Sequence, residues 1–257
     1  MGVTPLYAVQ DLLDQGVDPK EIFNRIGDFS EGYAQVNLNN KSNFIDTQGK
    51  LVFPNLWFDA VFYFFNGYAR VKLNGKWNLI DTQGKLVSPN QWFDYVDTFF
   101  NGYARLKLNG KWNYINTQGK LVSPNQWFDY VGDFSDGYAP VKLNDKWNLI
   151  DTQGKLVSPN QWFDGVYNFS DGYAIVKLNN KWNLIDTKGK LVSPSQWFDF
   201  VCDFSNGYAK VKLNGKWHKI DTKGNIVTTM NEHTVVITKS DLRKIVLECV
   251  EKIMNIS

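Results

Sequence analysis

The residues able to do chemistry are few, and their spacing argues against a single reactive centre. His218 and His233 are the only histidines, and neither has Cys, Asp or Glu at a ligand spacing that repeats. This pattern fits packing or surface histidines better than a metal site or a general base. Cys202 and Cys249 lack both metal-ligand spacing and a partner arrangement for nucleophilic attack, and two cysteines define no disulfide framework. Gly-x-Ser-x-Gly, P-loop and Gly-x-Gly-x-x-Gly patterns do not occur. The carboxylates instead recur. One series, Asp46, Asp81, Asp151, Asp186 and Asp221, opens a turn of the form Asp-Thr-x-Gly, with Asn116 in its place once. One carboxylate per turn is too few for calcium, which takes six or more oxygens. A side chain that caps the turn is the simpler reading, and Asn serves there equally well. A second series, Asp59, Asp94, Asp129, Asp164 and Asp199, follows Trp-Phe at the end of a polar loop, "SPNQWFD" in its commonest form. An aromatic face beside Asn, Gln and Asp is the furniture of a sugar site. This makes Trp57, Trp92, Trp127, Trp162 and Trp197, with Asp94, Asp129 and Asp164, the candidate contacts for a ligand or partner. Packing of the loop back onto its own repeat is the competing and preferred reading.

The elements that position these residues repeat at a fixed interval. Gly-Tyr falls at 32/33, 67/68, 102/103, 137/138, 172/173 and 207/208, a step of 35 residues with no insertion. Trp-Phe keeps the same step, as does Trp77, Trp112, Trp147, Trp182 and Trp217, with Ser42 in the first repeat. A period of this size indicates a solenoid, a propeller or an array. Each repeat reads as β. In 67–100, "YARVKL" alternates, Asn74-Gly75 signals a type I′ hairpin, "KWNLID" returns, and short strands are expected at "KLV" and "WFDYV". The mid-strand tryptophans after lysine are read as core or packing between repeats. At the ends, Thr4-Pro5 opens a helix stopped by Gly16, and Asp18-Pro19-Lys20-Glu21 opens a second. Residues 22–29 suit either helix or strand, with helix preferred. Ser240 caps a C-terminal helix bearing Leu242, Ile245, Val246, Cys249 and Ile253 on one face. The organisation expected is a helical segment over 1–26, a six-repeat β domain over 27–230, and a linker and helix over 231–257.

"GYARVKLNGKWNLIDTQGKLVSP" resembles the bacterial WG-repeat, or KWG-repeat, family in its Gly-Tyr-Ala, Gly-Lys-Trp and Ile-Asp-Thr-x-Gly-Lys pattern, across about residues 27–230. It departs at the namesake glycine, where Asn78, Asn113, Asn148, Asn183 and His218 stand. The resemblance implies a repeat-built binding module. The block "LNGKWNLIDTQGKLV" is also similar to the last two strands of a quinoprotein-type propeller blade, though no cofactor is inferred, and none of any kind is expected. The C-terminal "ITKSDLRKIVLECVEKIM" is similar to helical tails on proteins of gut Bacteroides-type bacteria and their phages.

An all-β fold of six 35-residue repeats follows. A six-bladed β-propeller is preferred and an open β-meander solenoid is the alternative, with short helices at both termini. Pro140 sits where Arg70 and Arg105 sit and suits an edge strand, which favours the open form. Charge is balanced, with 28 basic and 26 acidic residues and a net +2, which argues against nucleic acid as partner. The opening "MGVTPLYAVQDLL" carries neither a basic leader nor a long apolar run, so no membrane partner is expected. A cytoplasmic location is expected, or the host cytoplasm or virion if the chain is phage-encoded. Positions 60/95/130/165/200, 62/97/132/167/202 and 35/70/105/140/175/210 change between repeats while the core and turns do not. A non-catalytic scaffold for an unidentified protein partner is the leading expectation. A lectin binding glycan in the "SPNQWFD" loops is the alternative.

Overall fold

A computed structural model describes residues 4–229. The expected C-terminal helix, with His233 and Cys249, lies outside the described residues. The chain divides into two compact bodies, the first ending at Phe163 and the second beginning at Asp164.

The first body opens with a 3-10 turn, Leu6–Ala8, and two short helices, Val9–Asp14 and Pro19–Ile22. Gly16 ends the first helical stretch with a positive φ of 80°. Asp18 caps the second by accepting from the Lys20 N–H at 2.9 Å. The disputed segment 22–29 resolves against the helix. Helix stops at Ile22, and Arg25–Ser30 is a strand paired with Tyr33–Leu38. The reason is register. Phe23 packs with Val9 and Ile22 against Ala34 and Val36, so the helices cover one face of the first sheet while the chain beyond them supplies its edge.

Four antiparallel sheets follow in this body, each of three strands: Arg25–Ser30, Tyr33–Leu38 and Lys41–Asp46; Ala60–Val61, Tyr68–Leu73 and Lys76–Asp81; Tyr95–Val96, Tyr103–Leu108 and Lys111–Asn116; Tyr130–Val131, Tyr138–Leu143 and Lys146–Asp151. The second body has Gly165–Val166, Tyr173–Leu178 and Lys181–Asp186, then a four-stranded sheet of Phe200–Val201, Tyr208–Leu213, Lys216–Asp221 and Ile226–Thr229. The protein is thus an all-β chain of six repeats. The hairpin turns are as their Asn-Gly pairs require, with Asn74 at φ 49° and Gly75 at φ 78°.

Two of the four expected strands per repeat shrink. "KLV" reduces to a single bridge, Ile80 to Leu86 in the second repeat, because Pro89 two residues on cannot continue a ladder. "WFDYV" splits between two sheets. Phe93 bridges back to Trp77, whereas Tyr95 and Val96 pair forward with Lys107 and Leu106. The segment therefore stitches one sheet to the next.

Pro140 lies in the central strand of its sheet, not at an edge, opposite Leu149. It fits for two reasons. At the equivalent positions the bond to the short strand runs one way, from Phe62 N–H to Arg70 C=O and from Asp97 N–H to Arg105 C=O, so the ladder asks for no donor there. Gly132, which donates to the Pro140 carbonyl at 2.8 Å, has no side chain to meet the ring; a Cβ there would lie 2.6 Å from Pro140 Cγ.

Within the first body the sheets stack face to face. Ala104, Leu106 and Ile115 of the third sheet pack on Leu79 and Tyr68 of the second, and Ala139, Val141 and Ile150 of the fourth pack on Tyr114 and Tyr103 of the third. In the second body, Ala209, Val211 and Ile220 pack on Leu184 and Tyr173. Gly119 shows how close the approach is. It has φ 78°, and a Cβ there would run into the Val87 carbonyl of the preceding repeat.

Candidate functional site

The five tryptophans after lysine are half-buried, each on the face of its sheet that also carries the changing positions. Trp77 sits opposite Lys72, with the ammonium 5.2 Å from its ring centre; Lys107 on Trp112, Lys142 on Trp147 and Lys177 on Trp182 repeat this at 5.3, 5.9 and 5.1 Å. A second aromatic packs on each indole: Phe62 on Trp77, Tyr95 on Trp112, Tyr130 on Trp147, Tyr167 on Trp182 and Phe200 on Trp217, at 5.5 to 6.0 Å between ring centres. These partners come from the positions that vary between repeats. The pairs 60/62, 95/97, 130/132, 165/167 and 200/202 read Ala/Phe, Tyr/Asp, Tyr/Gly, Gly/Tyr and Phe/Cys. Each holds one aromatic, at one place or two residues on. Residues two apart in an extended chain share a face, so either position reaches the indole. The signal was in the sequence as a complementarity between neighbouring columns and is invisible when each column is read alone.

The loop residues have a different fate. Trp57 is buried against Phe23, and Trp92, Trp127, Trp162 and Trp197 are half-buried, with Trp92 6.5 Å from Phe58 in the core between the first two sheets. The aspartates that follow are staples. Asp94 takes the ammonium of Lys76 and the N–H of Asn109; Asp129 takes Lys111 and the Asn144 N–H; Asp164 accepts from the Asn179 N–H at 2.6 Å. Lysine, first of all, holds the Asp94 and Asp129 carboxyls below their ordinary 3.8. The turn aspartates also act as expected: Asp81 accepts from Gln83 and Lys85 N–H groups, and Asn116 does the same for Gln118 and Lys120.

Sequence reasoning missed one polar cluster. In the third sheet the middle of the variable face carries Asp97, Arg105 and Tyr114, where the second sheet has Phe62, Arg70 and Leu79 and the fourth has Gly132, Pro140 and Leu149. Arg105 donates through Nε and Nη2 to Asp97 at 2.9 and 2.7 Å, and Asp133 of the following sheet approaches its Nε at 3.3 Å. The Tyr95 hydroxyl donates to the other Asp97 oxygen at 2.9 Å, and buried Tyr114 donates to the Gly132 carbonyl at 2.7 Å. Burial opposes the guanidinium charge, but the two carboxylates outweigh it and raise the Arg105 pKa. Burial likewise pushes the Tyr114 hydroxyl well above its ordinary value. Among the described residues no three His, Cys, Asp or Glu side chains converge as metal ligands, and no helix is long and apolar enough to cross a membrane.

A sequence profile of the WG-containing repeat matches residues 21–41, 44–77, 79–112, 114–147, 149–182 and 184–217. The chain belongs to the WG-containing repeat family. No curated protein is detectably similar to it in sequence. Among solved structures, apo AztD from Citrobacter koseri aligns over 80% of this chain and 71% of its own, at 13% identity and a TM-score of 0.34. Hsv2p of Kluyveromyces lactis aligns over 85% and 80%, at 11% and 0.32, and a Bacteroides caccae protein of unknown function over 76% and 91%, at 14% and 0.25. Likenesses this distant carry no argument about function. What distinguishes these WG repeats is the residue after the tryptophan. Asn78 is buried; its amide donates to the Ser88 and Gln91 carbonyls at 2.7 and 3.2 Å, and its oxygen accepts from Leu79 and Ser88 N–H groups at 2.9 and 3.3 Å. Asn43, Asn113, Asn148 and Asn183 grip their own loops in the same way. In the sixth repeat His218 replaces the asparagine, and the gripped loop is replaced too, by the strand Ile226–Thr229 paired with 218–220.

Proposed function

We propose that this WG-repeat chain does no chemistry of its own and serves as a scaffold binding another protein through the half-exposed tryptophan faces of its sheets. The observation that carries this reading is the tryptophan, aromatic and lysine cluster rebuilt in sheet after sheet, with the aromatic restored from a neighbouring position whenever one place loses it. Trp77, Trp112 and Trp182 also pack on the cores between neighbouring sheets, yet Phe62, Tyr167 and Phe200 beside the indoles remain about 40% exposed. Trp and Tyr are the residues that dominate binding at protein interfaces, because a large rigid ring buries much area at little entropic cost. The lysines beside them give that face positive charge and favour an acidic partner surface. The lectin reading located in the "SPNQWFD" loops is weaker, since those indoles pack inward and their aspartates already hold lysine and backbone. The test is affinity capture with the immobilised chain and with a Trp77→Ser, Trp112→Ser, Trp147→Ser variant whose circular dichroism is unchanged. A protein retained by the parent and lost from the variant supports the reading. An identical set of retained proteins sinks it.

A further inference from the structure

The polar cluster of the third sheet borders a cavity of about 210 Å³, lined by Asp97, Thr98, Phe100, Arg105, Asp133 and buried aromatics, at the contact between the third and fourth sheets of the first body. Three departures from the repeat coincide here. Arg105 and Asp97 place a guanidinium and a carboxylate where the fourth sheet has proline and glycine. Tyr114 stands where the first, second, fourth and fifth sheets have Phe44, Leu79, Leu149 and Leu184. Gly132 lacks the side chain that Asp97 and Phe62 carry at its position, and the Pro140 ring packs over it, so Tyr114 can reach the Gly132 carbonyl. Asp133 adds a carboxylate whose side chain is 62% exposed.

The chemistry of the lining narrows the ligand. Asp97 is fully engaged by Arg105 and Tyr95. The groups left to a ligand are the outer Asp133 oxygen, the Thr98 hydroxyl and Arg105 Nη1, which makes none of the hydrogen bonds found among the described residues. An acceptor and a donor thus stand side by side. The trio of Asp97, Arg105 and Asp133 sums to one negative charge, which repels an anion; a cation meets Arg105 and, with Asp97 occupied, finds only the exposed and solvent-screened Asp133 to hold it. A hydroxyl both donates and accepts, and adjacent hydroxyls match an adjacent carboxylate and guanidinium. Phe100, 58% exposed at the rim, offers an apolar face beside these polar groups, and Phe134 closes the floor between Tyr103 and Tyr114 at 4.5 and 4.7 Å. The volume is below the roughly 300 Å³ at which drug-sized sites begin.

From this we propose that the third repeat carries a single binding site for one neutral sugar ring, seated on Phe100 with its hydroxyls between Asp133 and Arg105. The site shares the third sheet's variable face with Trp112 and its partner Tyr95, but its ligand and its test do not depend on the protein-binding reading. It is also distinct from a lectin of equivalent repeated sites, because no other sheet of the described residues assembles this trio.

The experiment is saturation-transfer NMR on the full chain with neutral methyl glycosides of glucose, galactose, mannose and N-acetylglucosamine. Each is present at about 20 mM, above the Kd on the order of 1 mM that a ligand of this size reaches. At least one glycoside is expected to receive saturation, with one-to-one stoichiometry. Phe100→Ala and Asp133→Asn, both at exposed positions, are expected to weaken binding tenfold or more at unchanged melting temperature, while Trp127→Ala leaves it intact if folded. Binding that survives both Phe100→Ala and Asp133→Asn overturns the proposal. So does preference for lysine methyl ester or inorganic phosphate over every glycoside, and so does silence from all four sugars. Any of these results leaves the affinity-capture outcome untouched, so the two readings fail separately.

Discussion

Replacing Asn148 with alanine tests whether the residue after the tryptophan holds the fold. Asn148 is fully buried. Its amide donates to the Ser158 and Gln161 carbonyls at 2.7 and 3.2 Å, and its oxygen accepts from the Leu149 and Ser158 N–H groups at 2.8 and 3.2 Å. Alanine removes four hydrogen bonds at once. At about 1 kcal/mol net each the loss is about 4 kcal/mol. Water reaching the partly exposed Gln161 end returns some of this. The Leu149 N–H and Ser158 carbonyl stay buried, and each orphaned group costs about 1–3 kcal/mol. The expected loss is therefore about 2–4 kcal/mol. Asn148→Gly, which restores the family's namesake residue, is expected to lose at least as much, because it adds strand entropy without refilling the loop. Because the chain has two compact bodies, a single two-state fit is unsafe, and hydrogen exchange is the better assay. The Leu149 and Ser158 amides should lose protection while the equivalent Asn78 loop keeps its own. Intact protection at both amides would refute the reasoning, since it would mean the loop holds its place without the amide.

Gly119→Ala should destabilise by more than about 1 kcal/mol, because alanine resists positive φ and its methyl meets the Val87 carbonyl; a thermal melt matching the parent would show that the repeats can part there. Acid should loosen the staples between hairpins. The folded carboxyls of Asp59, Asp94, Asp129 and Asp199 lie below their ordinary 3.8, chiefly through lysine, so their stabilisation is complete above that value and lost as pH falls through the lowered ones. Stability measured from pH 5 to pH 2 should fall, and Asp94→Asn with Asp129→Asn should flatten the slope; an unaltered slope would assign the acid response elsewhere.

The repeat, its hairpins and its capped turns were legible because each rests on local chemistry: Asn-Gly needs positive φ whatever surrounds it, and Asp81 bonds to N–H groups two and four residues away. What stayed hidden depends on contacts between repeats. Nothing local says that Phe93 pairs backwards and Val96 forwards, since both are apolar residues of one short run. Pro140 looked like an edge residue because the one-way bonding at its position and the missing side chain at Gly132 are properties of a neighbouring strand. The role of Asn148 is not local either, since the carbonyls its amide binds lie ten and thirteen residues on. The Arg105 cluster escaped because its members sit in columns that vary, and variation between repeats was read surface by surface when the pairing of columns was the informative quantity.

The segment that stitches one sheet to the next has a genetic corollary. Residues 88–94, 123–129 and 158–164 are the same seven letters, Ser-Pro-Asn-Gln-Trp-Phe-Asp. In each copy the phenylalanine closes the sheet behind. In the copies at 88–94 and 123–129 the residues just after it open the sheet ahead within the first body. Unequal crossing-over between two such copies adds or removes one whole period of 35, yet every junction it creates still has a correct left half and a correct right half. Lineages can therefore lengthen or shorten this array in single steps without passing through a chain whose sheets are unjoined.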